Sequence, residues 1–255
     1  MNITFLGTGT SQGIPMIACD CDVCNSADPR DKRLRTALMV EASGVRIIID
    51  VGPDFRAQML RHRVKSISGV LLTHEHNDHI AGIDDLRSFN FAMHNQVHIW
   101  AESRVIDTLK NQYPYVFADI KYPGTPDLSL HRLDEAPFKI GNLEITPIRL
   151  MHYKLPVLGF RIGNMAYLTD VSRIPDEEFE KLQNLELLII DALRLKPHIS
   201  HFNLEQALDI IRIIKPKKAL LTHISHFLGK HAEVQKLLPP NVQPAYDGLT
   251  IQLPL

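Results

Sequence analysis

Four candidate metal ligands, His74, His76, Asp78 and His79, stand close together inside Thr73-His74-Glu75-His76-Asn77-Asp78-His79. His74 and His76 are two residues apart, so both project the same way from an extended segment. Asp78 and His79 follow where the chain can turn into a helix. Two imidazoles followed by a carboxylate and a third imidazole suit two neighbouring divalent ions better than one. Borderline nitrogens and hard oxygens, with no thiolate beside them, fit Zn(II), with Mn(II) or Fe(II) as alternatives.

Histidines and aspartates also end most of the apolar, β-branched segments of the chain. Asp50 follows Ile47–Ile49, His152 follows Ile145–Leu150, and Asp170 follows Tyr167–Leu168. Asp191 follows Leu188–Ile190 and His223 follows Leu220–Leu221. Ligands at strand ends, carried on loops above a rigid sheet, are a common way to hold a site. Any one of these positions is as readily a satisfied polar residue as a ligand; the ordered set is what points to a metal-dependent hydrolase. His62, His94, His98, His131 and His231 have no such pattern and read as surface or packing residues, His98 inside a strand.

The cysteines, Cys19, Cys21 and Cys24, form an odd and tightly spaced set. Such a set is a poor disulfide framework and fits a reduced, cytoplasmic setting with a metal–thiolate site. Three thiolates want a fourth ligand for tetrahedral zinc, and His226, three residues after His223, is the candidate. Free loop cysteines are the plainer alternative. An iron–sulfur cluster is disfavoured because a fourth cysteine is absent.

These groups need strands to carry them. Ile3–Leu6, Ala37–Val40, Val45–Ile49, Gly69–Leu72 and Val97–Ala101 read as strands, with a helix over Phe55 to Arg63. Further strands are expected at Leu143–Ile148, Gly159–Ile162, Met165–Thr169, Leu187–Ile190 and Ala219–Thr222, and helices at Asp176–Leu182 and Leu204–Ile214. Asn203 is a good N-cap for the last helix, with Gln206 placed to complete a capping box. Helical and strand-like pieces alternate between Asp84 and Asp119. The pattern predicts an α/β (α+β) layered architecture in one domain over 1–255. The 255 residues contain no apolar run long enough to span a bilayer, and the N-terminus carries no basic leader, so neither a membrane anchor nor a secretory signal is expected. A formal net charge of −1 gives no indication of a broad nucleic-acid surface.

The ordered series resembles the metallo-β-lactamase superfamily, whose signature His-x-His-x-Asp-His stands here as His74, His76, Asp78 and His79. The resemblance implies a four-layered αβ/βα sandwich with two divalent metal ions, zinc or manganese, at one edge. It implies that His74, His76 and His152 hold one ion, that Asp78, His79 and His223 hold the other, and that Asp170 bridges them. Asp50 would then orient the cluster from behind. Cys19, Cys21, Cys24 and His226 resemble the structural zinc of a narrower branch, the phosphodiesterases related to phosphoribosyl 1,2-cyclic phosphate diesterase. The segments FLGTGTSQGIP, DVGPDFR and GIDDLRSFN look like that branch as well.

Within the superfamily, an aspartate at 170 disfavours antibiotic hydrolysis, and His76 stands where redox-active diiron members carry glutamate. The interval from His152 to Asp170 is too short for the arm of tRNA-processing members. The expected activity is hydrolysis of a small, even cyclic, phosphodiester by a metal-bridging hydroxide. Two dications, two carboxylates and a hydroxide leave about one positive charge to match the anion. Thioester or lactone hydrolysis, or metal binding without catalysis, are the alternatives. By analogy with related phosphodiesterases, His201 is assigned as general acid or transition-state stabiliser, with His198 as the alternative. Asp191 would orient His201 or a ligand, or be a buried structural carboxylate. Asp78 and Asp170 complete the catalytic set, Arg56 and Arg87 are candidates for anion contact, and a homodimer stays open.

Overall fold

A computed structural model describes residues 1–254. Two seven-stranded sheets face each other. The first contains β1 (Asn2–Gly7), β2 (Ala37–Ala42), β3 (Val45–Ile49), β4 (Gly69–Leu71), β5 (Val97–Ala101), β6 (Leu128–Arg132) and β14 (Thr250–Gln252), in the order β14-β1-β2-β3-β4-β5-β6. The second contains β7 (Phe138–Ile140), β8 (Leu143–His152), β9 (Leu155–Ile162), β10 (Met165–Leu168), β11 (Leu187–Asp191), β12 (Lys218–Thr222) and β13 (Val242–Pro244), in the order β13-β12-β11-β10-β9-β8-β7. Each sheet is mixed: β3, β4, β5 and β6 run parallel, as do β10 to β13, and the remaining pairings are antiparallel.

The strand sequences explain the layering. A strand buried on both faces reads as a continuous apolar run rather than an alternation. In β3, Ile47 and Ile49 enter the core between the sheets, while Ile48 faces the outer helices. In β11, Leu187 and Ile189 face the first sheet, and Leu188 and Ile190 face helices on the opposite side. The outer layer of the first sheet is α1 (Phe55–Arg61), α3 (Arg87–Met93) and α4 (Ser103–Gln112). That of the second is α5 (Leu204–Ile214) and α6 (His231–Leu237). Helix, sheet, sheet, helix is the four-layered sandwich that the resemblance implies, and it fits the layered α/β pattern of the sequence.

Helix α5 spans the predicted residues. Asn203 accepts from the Gln206 amide and Gln206 returns a bond to the Asn203 amide, and Leu204, Ala207, Ile211 and Ile214 form its buried stripe. Asp176–Leu182 is instead a 3-10 helix. The Glu178 carboxylate turns inward to accept from the Arg149 amide and pairs with Lys181, three residues on, where a 3-10 turn superposes side chains. The helix from Phe55 stops at Arg61, before Arg63 takes a left-handed conformation. Strands β6, β7, β13 and β14 and helix α6 add to the elements named from sequence, and α3 and α4 are helical pieces of the kind expected between Asp84 and Asp119. No described helix is long and apolar enough to cross a membrane.

Candidate metal centre

Three of the strand-end acids and histidines leave their strands by the same device. Asp50, Asp170 and His223 follow β3, β10 and β12 with φ of +67°, +54° and +53°. This left-handed conformation is costly for residues with a side chain and persists where the surroundings impose it, commonly at functional sites. It turns each side chain off its strand and into the gap between the sheets.

Asp50 is fully buried and organises what lies above it. Its carboxylate accepts from the Thr73 amide at 2.9 Å and from the Thr73 hydroxyl, and lies 2.7 Å from His79 Nδ1. The Thr73 hydroxyl is also 3.0 Å from His74 Nδ1. Neither His74 nor His79 can therefore rotate freely, and each presents Nε2 to the site. The short α2 (Asn77–Ile80), entered at His76, carries Asp78 and His79. It is held against the β3 exit by the Val51 amide, which donates to the His79 carbonyl at 2.7 Å. Gly52 permits that approach: a Cβ there would stand 2.0 Å from the Asp78 carbonyl oxygen.

Two groups of ligand atoms result. Asp78, His79, Asp170 and His223 each offer one atom within 4.8 Å of all the others, and so do His152, Asp170 and His201. Asp170 belongs to both. One of its oxygens is 3.2 Å from His79 Nε2 and from His223 Nδ1, and the other is 4.0 Å from His74 Nε2. His74 and His76 are 3.0 Å apart between ring nitrogens, and their rings lie 5.8 and 5.1 Å from that of His152. His201, assigned by resemblance as general acid or transition-state stabiliser, thus also lies within ligand reach of Asp170.

The residues fit metal ions on two grounds. His79 Nε2, His152 Nδ1 and His223 Nδ1 are buried without a hydrogen-bond partner, although an Asp170 oxygen is 3.2 Å from two of them. Buried ring nitrogens without a partner beside a shared carboxylate oxygen are groups that a metal ion between them would use. In addition, burial lowers the pKa of His74, His152 and His223, the last two to about 4, so these rings are neutral and keep a lone pair for a cation. Burial alone would also lower His79, but Asp170, Asp78 and Asp50 outweigh it and hold that ring well above its ordinary value. A cation among those carboxylates takes the place of its proton.

His201 rests on Asp191, with Nδ1 3.2 Å from Oδ2. Asp191 is fully buried, and burial raises its carboxyl to about 7. Burial works against the charged His201 ring, but the bond to Asp191 and the nearby Asp170 raise it overall. His198 is half-buried beside it, ring centroids 5.2 Å apart, and accepts from Ser200. Arg87 is exposed and paired with Asp84 at 3.2 Å, and Arg56 lies exposed on α1.

The second site is compact. His226 Nδ1 lies 3.2 Å from the Cys19 sulfur and 3.5 Å from those of Cys21 and Cys24. The Met16 and Cys24 amides donate to the Cys24 and Cys21 sulfurs. The Cys24 amide is the main cause lowering Cys21 to about 6, whereas burial pushes Cys24 up to about 11. Three sulfurs around one imidazole nitrogen match the donor set of structural zinc. His226 is joined to His223 only through Ile224 and Ser225, and the Ile224 amide donates to the Thr8 carbonyl while its own carbonyl accepts from Thr10.

Two contributors to the site escape a reading of sequence. Thr73, adjacent to the first histidine, is signalled only by its short hydroxyl. Arg104, whose guanidinium donates to Glu75, has no local signal at all, because the fold alone brings it there.

A family model described as the beta-lactamase superfamily domain matches residues 45–224. A PhnP-family diphosphatase, known from its crystal structure, is 39% identical with a TM-score of 0.92, over 98% of this chain and 96% of that one. The Zn(2+)-bound PqqB of Methylobacterium extorquens has a TM-score of 0.80 at 17% identity, over 99% of this chain and 100% of that one, a likeness of fold. A Porphyromonas gingivalis protein named octanoyltransferase is 44% identical over 98% of this chain and 51% of its own length. The chain therefore spans about half the length of that curated relative.

Proposed function

The chain belongs to the beta-lactamase superfamily, and on that premise we propose that it hydrolyses small phosphodiesters, cyclic ones included, with two divalent ions. His74, His76 and His152 would hold one ion, Asp78, His79 and His223 the other, with Asp170 between them. When bound, such ions neutralise charge developing on phosphoryl oxygens and bring the pKa of water toward neutrality. The observation that carries the substrate class is the 39% identity, over nearly the whole chain, to a PhnP-family diphosphatase.

The chain's own residues supply the rest. His201 is raised and held through Nδ1 by Asp191, and its Nε2 has no hydrogen-bond partner among the described residues. A protonated ring anchored on one side can deliver a proton from the other to a departing alkoxide. Asp191, buried beneath it, fixes the ring and stabilises its charge. Asp50 and Thr73 fix His74 and His79 so that their Nε2 atoms need no reorganisation when ligands are called for. The same reading makes residues 1–255 one catalytic domain acting on a free small molecule in the cytoplasm, with zinc or manganese at the centre and zinc at the cysteines.

Acyl ester or thioester hydrolysis is the second reading, favoured by the likeness to the protein named octanoyltransferase. A panel separates the two: a nitrophenyl phosphodiester, a cyclic ribose phosphodiester, a diphosphate diester, an octanoyl thioester and a lactone, all with the metal-loaded protein. The phosphorus substrates are expected to give the highest kcat/KM. An octanoyl thioester turned over a hundredfold faster than any of them overturns the phosphodiesterase reading.

A further inference from the structure

Both ligand sets draw on both sheets: Asp78 and His79 ride on α2 after β4, Asp170 and His223 follow β10 and β12, and these four converge within 4.8 Å. His74 and His76 belong to the loop after β4 in the first sheet, whereas His152 ends β8 in the second. Their separation is therefore the separation of the two sheets at this edge.

Arg104, in the first turn of α4, spans that same gap. Its Nη1 donates to Glu75, the residue between His74 and His76. Its Nη2 donates to the Pro156 carbonyl at 2.6 Å. Pro156 lies on β9 opposite Met151, the neighbour of His152. One planar guanidinium thus ties the loop of two histidines to the hairpin of the third, a bridge that needs its rigid fork of donors. The Thr73 carbonyl, accepting from the Leu158 amide at 3.0 Å, is a second tie across the gap. Glu102 accepts from Arg149 on β8 at 2.6 Å, fixing the start of α4 to the second sheet as well. Asp78 and His79 are placed by other contacts: the Val51 amide holds the His79 carbonyl at 2.7 Å and Asp50 holds the His79 ring at 2.7 Å.

We infer that Arg104, acting through Glu75, is a positioning residue for the ion held by His74, His76 and His152, and that the other ion does not depend on it. The inference rests on the two-ion reading of the centre. Its test is stepwise cobalt titration of the protein, followed by visible absorption and calorimetry, in wild type, Arg104→Met, Arg104→Lys and Glu75→Gln. Wild type should take up two ions at this centre. In Arg104→Met and Glu75→Gln one of the two should bind 10–100-fold more weakly, with the other unchanged. Lysine reaches one partner but not both, so Arg104→Lys should recover part of the loss. Equal weakening of both ions, or no weakening in either variant, overturns the inference. Hydrogen exchange of the Leu158 amide in the metal-free proteins keeps the two ideas apart. If wild type takes up fewer than two ions, the two-ion reading has failed, and the cross-sheet tie is judged by that amide, which should lose protection in Arg104→Met. Unchanged protection there removes the tie.

Discussion

Oδ2 of Asp50 stands 2.7 Å from Nδ1 of His79, and Nε2 of the same ring stands 3.2 Å from Asp170. The imidazole is gripped on one edge by a buried carboxylate and faces the ligand cluster with the other. Thr73 extends the grip to His74, so one carboxylate below the site sets two rings above it.

Asp50→Asn keeps the shape but removes the charge and one acceptor. Metal affinity at the centre should fall 10–100-fold, read by competition with a chromogenic chelator, while the fold persists in circular dichroism. An unaltered affinity would deny Asp50 its orienting role.

Gly52→Ala places a methyl on the Asp78 carbonyl, which must move. Since Asp78 and His79 ride on that segment, the variant should lose metal from the Asp78–His79–His223 set while remaining folded. Full metal content in a crystal of the variant counts against the close approach having functional weight.

His201→Ala should lower kcat on a phosphodiester by about 10²–10⁴-fold with metal content retained. Asp191→Asn should lower it less and shift the limb of the pH–rate profile that reports the acid. Wild-type turnover by His201→Ala ends the assignment of that ring to proton delivery.

Cys21→Ser should release one zinc per chain, lower the melting temperature and spare the other ions. Elemental analysis after dialysis decides the matter. Unchanged zinc in the variant would falsify the structural site.

His231 gives a stability prediction. Burial, aided by Arg33 and Arg30, lowers its ring to about 4, below the ordinary value near 6.5, while its backbone amide donates to Asp31. The folded protein therefore keeps the ring neutral where the unfolded chain binds a proton. Stability from this residue is intact above about pH 6.5, is lost as pH falls toward 4, and is flat below that. His231→Gln should lose stability less steeply than wild type across that window, by an amount on the order of 1 kcal/mol after solvent screening, measured by urea denaturation at pH 7 and 5 with zinc present.

The sequence makes the parts of the site legible wherever the chain itself joins ligand to strand. Val45–Ile49 coincides with a strand because its apolar residues are buried on two faces, and Val97–Ala101 because Val97, Ile99 and Ala101 alternate onto one buried face. The stripe and caps of α5 are equally local. The histidine spacing around residue 74 and the cysteine spacing around residue 21 are visible as spacing. What is missed depends on contacts across the chain. Arg104 reaches Glu75 only because α4 packs against β5 and β6, and Thr73 matters only because Asp50 returns beneath it. The short strands β7 and β13 have too few residues to show a period. Asp176–Leu182 looks like an ordinary helix until Glu178 is seen turned inward. The sharing of Asp170 between two groups is a fact of three dimensions, since its partners come from α2, the ends of β8 and β12, and the loop before α5.

Cys19 and His226 are 207 residues apart along the chain. As synthesis proceeds at about 5–20 residues per second, the three thiols emerge roughly 10–40 s before the imidazole that completes their site. Over that interval the three thiols would stand without their fourth partner. His226 of the cysteine group and His223 of the Asp170 group then emerge together, three residues apart. Both groups are thus completed by the same short stretch of chain.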